Sequence, residues 1–211
     1  MKKYDYEEIF NQGLTVISNA LNRIEDTNNE EDNSAHDIVA PQIQIEFNET
    51  RDICASCGGR CCKSMSCEAF PQDIFGTEEP TYERLINFLK DGNWSIDCWE
   101  GDVRLDCCQD ISDDEYLSRC YYIRPRHVGV NTLFDFSYGG CCSFLTETGC
   151  SLSWEQRPTA GKSLKAYSVN DCRSEYGKKE AALAWVPYNA WFERIYNGES
   201  DDILSESGLI C

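Results

Sequence analysis

The chain has 211 residues, enough for one domain with extensions, and its fourteen cysteines fall short of the roughly 8–10% that marks a disulfide-built miniprotein. Its 37 acidic and 19 basic residues give a formal charge of −18, a field that repels phosphate backbones and argues against nucleic acid. No run approaches 18 consecutive apolar residues, so no membrane span is expected, and the opening MKKYDYEEIFNQ lacks the apolar stretch of a secretory leader.

The N-terminal segment, residues 1–25, carries Phe10, Leu14, Ile17, Leu21 and Ile24 at spacings of 4, 3, 4 and 3, one stripe of an amphipathic helix. The stripe either packs on a core or serves a protein partner. Residues 26–40 are acidic, polar and without periodicity, and read as a linker. A cysteine-rich domain then covers 41–198, followed by an acidic tail over 199–211. The alternation of Ile43, Ile45 and Phe47 predicts a short strand.

Within the domain, PQDIFG from Pro71 reads as one helical turn, and TYERLINFLKDG as a helix ending at Gly92. Trp94 to Trp99 and Arg119 to Arg124 read as short strands. A C-terminal helix is expected to start at Asn170 or Asp171 as its cap, to break at Pro187 and to resume to Tyr196. The fold class is α+β: a small irregular body with few short strands, stapled by metal, between an N-terminal amphipathic helix and a C-terminal helix.

The cysteines carry the chemistry. Cys54-x2-Cys57-x3-Cys61-Cys62-x4-Cys67 offers five sulfurs within 14 positions, against the four a structural zinc takes. Adjacent cysteines do not bond to each other without straining the peptide between them, whereas two thiolates from a kinked loop serve one ion or two neighbouring ones. A cytoplasmic location, which the missing leader implies, keeps thiols reduced and favours metal ligation over disulfides. Gly58-Gly59 and Gly139-Gly140 loosen the loops that carry Cys61-Cys62 and Cys141-Cys142. No second Cys-x2-Cys pair completes a zinc ribbon, and the ferredoxin spacing is absent. Spacing alone does not separate zinc from iron.

The same blocks, extended by Met65-Ser66-Cys67, Pro71-x-Asp73, Cys142-Ser143-Phe144-Leu145, Gly149-Cys150 and Arg157-Pro158, resemble the YkgJ-type cysteine-cluster family of zinc- or iron-chelating proteins. The resemblance covers about residues 51–172, discontinuously. It implies that Cys54, Cys57, Cys61, Cys62, Cys67, Cys142 and Cys150 converge on one metal centre, and it implies no reaction. Where the family often places a cysteine after Arg-Pro, this chain has Thr159-Ala160-Gly161-Lys162. Cys172, expected at the start of the last helix where a thiolate is favoured, is the substitute.

Cys141 joins the candidates through its pair. Cys107 and Cys108, in an Asp-rich stretch, mark a second site or none, and Cys98 and Cys120 read as buried core thiols. Glu68, Asp73 and Asp97 read as solvated carboxylates. His36 and His127 are too few for a histidine-rich site, and Arg124, Arg126 and His127 form the most basic patch, meeting an anion or balancing local charge.

The expected function is a metal-binding protein with one or two cysteine-ligated zinc or iron centres, an iron–sulfur cluster included. Two alternatives stand beside it. One is an iron-dependent or iron–sulfur enzyme acting on a peptide or protein, with Trp185, Tyr188, Trp191 and Tyr196 lining its pocket. The other is an acidic interaction module that docks a protein through the N-terminal helix.

Overall fold

A computed structural model describes residues 56–106, 112, 116–168 and 171–198. The expected N-terminal helix, linker, first strand and C-terminal tail lie outside the described residues, as do Cys54, Cys107 and Cys108. The described part is α+β, with short helices and three two-stranded antiparallel sheets.

In chain order the helices and strands are α1 (Arg60–Ser64), α2 (Pro71–Phe75), α3 (Tyr82–Leu89), β1 (Trp94–Glu100), β2 (Arg119–Pro125), β3 (Leu145–Thr146), β4 (Gly149–Cys150), α4 (Thr159–Ser163), β5 (Lys165–Ser168), β6 (Asp171–Arg173), α5 (Lys178–Trp185) and α6 (Asn189–Tyr196). A 3-10 turn, Val186–Tyr188, separates α5 from α6 at Pro187. Proline has no amide hydrogen for the helical ladder, so the expected break falls there. Thr81 caps α3 as its side chain accepts the Arg84 amide at 3.3 Å.

The last helix begins at Lys178, capped by Gly177, rather than near Asp171. Asp171–Arg173 instead pairs as β6 with β5, Ala166 facing Cys172. Asp171 has the chemistry of a helix cap, but the ladder with Lys165–Ser168 uses its backbone first.

β1 and β2 pair from Trp94↔Pro125 to Glu100↔Arg119. Single bridges extend this sheet on both edges. Ala69 donates its amide to Ile123 O at 2.7 Å beside β2, and Ile96 exchanges hydrogen bonds with Leu133 O and the Asp135 amide beside β1. Helix α5 packs against β2, and its Trp185 is fully buried with Nε1 donating to Ala69 O at 2.8 Å. Phe192 of α6 stacks on both Trp185 and Tyr121. The aromatic C-terminal residues Trp185 and Tyr188 are therefore core. The chain brought in along the β2 edge by Ala69 is the segment that carries Cys67.

Candidate metal centre

Gly58 and Gly59 turn the chain with φ of 62° and 70°, the left-handed region that glycine tolerates, and α1 follows at once. This single turn carries Cys61 and Cys62. The second cysteine loop lies directly against it: Gly140 N donates to Ser64 O at 3.1 Å, and Cys142 N to Cys62 O at 2.7 Å. A Cβ on Gly139 would stand 2.6 Å from Ser64 O, and one on Gly140 2.6 Å from the His127 ring. The two glycines thus serve close approach more than looseness.

The Cys61 and Cys62 sulfurs are 3.9 Å apart. A disulfide needs about 2.05 Å, whereas two thiolates on one tetrahedral zinc, with bonds of about 2.3 Å, stand about 3.8 Å apart. Their mutual hydrogen bond lowers the Cys61 pKa and raises that of Cys62, so the pair readily gives up one proton and holds the other. Arg157, of the Arg-Pro block, adds its charge in favour of the Cys61 thiolate.

The other sulfurs sense this pair. Cys62 is also raised by burial and by Cys67 and Cys142. Burial raises Cys67 most, with Glu68, Cys61, Cys142 and Cys150 adding to it. Burial likewise raises Cys142, with Cys150 and Cys141 contributing, and raises Cys172, with Cys61 and Cys57 contributing. Cys57, Cys61, Cys62, Cys67, Cys141, Cys142, Cys150 and Cys172 are thereby linked in one electrostatic neighbourhood. Cys141 is the least committed, since its sulfur lies 3.8 Å from the Cys142 carbonyl. Among the described residues, no three His, Cys, Asp or Glu side chains already stand in a coordination shell.

Comparison with protein-family models, curated proteins and solved structures finds no match.

Several sequence expectations are corrected at the site. Cys172 sits in β6, with no helix start to favour its thiolate. Glu68, Asp73 and Asp97 are not solvated: Glu68 and Asp97 are buried, and the Asp73 side chain nearly so. Opposed residues of a ladder share a face, so the register places Ser95 with Arg124 and Asp97 with Tyr122, and both faces of this sheet are covered. Asp97 accepts Arg124 Nε at 2.8 Å, and burial raises the Glu68 pKa to about 7. Cys120 is a fully buried core thiol as expected, accepting the Val103 amide at 3.4 Å, and Cys98 packs at the core edge.

The basic patch is internal. Arg124 Nη2 meets Asp135 Oδ2 at 2.8 Å and donates to Asp135 O at 2.9 Å, so local charge balance accounts for Arg124, whereas Arg126 Nη2 donates to Trp94 O at 3.1 Å. Sequence reasoning missed Asp135, since nothing in FDFSY distinguishes a buried carboxylate. Asp73 is an internal acceptor rather than a solvated carboxylate. It accepts the Phe70 amide at 2.8 Å, the Thr159 amide at 2.7 Å and the Thr159 hydroxyl at 2.9 Å. These bonds tie the segment after Cys67 to the one after Arg157-Pro158. Gly161 of that segment passes so close that a Cβ there would lie 3.6 Å from Cys67 Sγ.

Proposed function

We propose that the chain is a metal-binding protein whose cysteines ligate a zinc or iron centre, with Cys61, Cys62, Cys67 and Cys142 as the principal donors and Cys150, Cys57 and Cys172 in reserve. The single observation that carries this reading is the 3.9 Å separation of the adjacent Cys61 and Cys62 sulfurs, a distance compatible with the edge of a tetrahedral thiolate site. The convergence of sulfurs from α1, the Cys67 segment and the 139–142 loop supports it further. The likeness of the cysteine blocks to the YkgJ-type chelating proteins points the same way. The metal acts as a staple, because ligands from distant parts of the chain make binding energy part of folding energy.

The test is elemental analysis with an absorption spectrum of protein purified without oxygen, then thermal melting with and without chelator. Stoichiometric zinc or iron and a chelator-dependent drop in Tm are expected. Metal-free protein whose melting ignores chelator would sink the proposal. Brown colour with sulfur-to-iron absorption assigns iron, and a colourless metal-loaded protein assigns zinc.

A further inference from the structure

Beside the sulfurs lies a buried imidazole with one nitrogen unaccounted for. His127 is 4% exposed, and its backbone forms an antiparallel bridge with Cys142, itself 5% exposed. The flanking hydrogen bonds run from Val128 N to Cys141 O at 2.8 Å and from Ser143 N to Arg126 O at 2.9 Å. They make His127 and Cys142 a non-hydrogen-bonded pair, the kind in which Cα atoms approach to about 4.5 Å and the two side chains leave on the same face. The loop that carries Cys142 also clamps the ring, since a Cβ on Gly140 would stand 2.6 Å from its Cγ and 2.7 Å from its Nδ1.

One edge of the ring is assigned. Nδ1 lies 3.2 Å from Ser137 Oγ and 3.4 Å from Asp135 Oδ2. The Ser137 amide donates to Asp135 Oδ1 at 3.0 Å, and Arg124 holds the other carboxylate oxygen at 2.8 Å. The one hydrogen bond of Nδ1 is with Ser137 Oγ, and a carboxylate oxygen 3.4 Å away favours the tautomer with its proton on Nδ1, which leaves the Nε2 lone pair of the neutral ring as an acceptor. Nε2 is buried and has no hydrogen-bond partner among the described residues. A buried lone pair beside a cysteine cluster suits a metal ion.

We propose that His127 Nε2 is a nitrogen ligand of the metal bound by Cys142, with Asp135 as the outer partner that fixes its tautomer. The inference rests on the metal-centre reading above and turns an all-sulfur ligand set into a mixed one. The arrangement is the carboxylate–histidine–metal relay found where the second ring nitrogen of a ligand is anchored. Arg124, held on its far side by Asp97, anchors the carboxylate in turn. The donors outnumber the four positions of one zinc; thiolates, which bridge two ions, absorb the excess, whereas an imidazole nitrogen binds only one.

The experiment is X-ray absorption at the edge of whichever metal co-purifies, zinc or iron, on the full chain as wild type, His127→Ala and Asp135→Asn. The wild type is expected to show imidazole scattering along with sulfur. His127→Ala is expected to lose the imidazole signal and keep the sulfur shell, and Asp135→Asn to bind the metal about 10–100-fold more weakly. A sulfur-only shell in the wild type overturns the proposal without reference to any variant and leaves the metal-centre reading standing. Absence of bound metal in the wild type overturns both.

Discussion

Asp73 and Thr159, far apart in the chain, meet through two hydrogen bonds: the Thr159 amide reaches Asp73 Oδ2 at 2.7 Å and its hydroxyl reaches Oδ1 at 2.9 Å. The carboxylate thus satisfies the start of α4 from across the fold while it also accepts the Phe70 amide inside its own turn. Asp73→Ala removes acceptors from buried donors at both places, and should cost about 2–3 kcal/mol in urea unfolding. Asp73→Asn keeps one acceptor oxygen and should fall between. A loss under 0.5 kcal/mol for the alanine variant would show that the two segments are held together by other contacts.

Arg124 stands between two buried carboxylates, at 2.8 Å from Asp97 and 2.8 Å from Asp135. Arg124→Leu leaves both acids without their cation and should destabilise by about 3–5 kcal/mol, the range for one broken buried pair. Replacing Asp97, Arg124 and Asp135 together by apolar residues of similar size should cost less than the single change. Chemical denaturation of the two variants decides the order.

Asp102 contributes to the acid limb of stability. Its side chain is fully buried and bonded to Arg104, with further hydrogen bonds from the Arg104 and Leu117 amides, and the Arg104 hydrogen bonds lead in lowering its pKa. A carboxyl depressed in the folded state contributes stability that is fully present above its unfolded value of about 3.9 and is lost as pH falls through the folded value. The stability gap between wild type and Asp102→Asn should therefore be constant from pH 5 to 7 and shrink below about pH 4. A gap that widens in acid would reverse the assigned sign.

Metal content separates ligands from core thiols. Cys62→Ser and Cys142→Ser should lower bound metal by at least half, while Cys98→Ser, whose sulfur contacts Glu100 at 3.5 Å, should retain it. Equal metal loss in all three, measured by elemental analysis of folded protein, would remove the distinction drawn between them.

The parts of the fold legible in the sequence are those set by local rules: the helix of TYERLINFLKDG, which ends at Leu89 rather than Gly92, the break at Pro187 and the two strands around Ile96 and Ile123. The start of the last helix was not, because Asp171 satisfies a local rule for capping and a tertiary ladder overrides it. For the proposed metal site, local spacing singles out Cys61, Cys62 and Cys67, and the family resemblance adds Cys142. The sequence did not reveal that Asp97 and Glu68 are interior. An alternating strand looks the same whether its polar face meets water or a second layer, and only packing decides. His127 stands out in the sequence only as one of two histidines and a member of the basic patch, since its proposed value as a donor comes from Asp135 beside its ring and Cys142 across the bridge.

The 2.7 Å bond from Cys142 N to Cys62 O closes a loop of roughly 80 residues, a separation whose closure entropy must be met before the contact returns anything. The bond from Trp185 Nε1 to Ala69 O spans 116 residues, so the helical cover of the sheet carries a closure cost at least as large. Under the proposed function, a metal bound during refolding would tether the Cys62–Cys142 loop early, and one bound afterwards would have to enter a joint already shut.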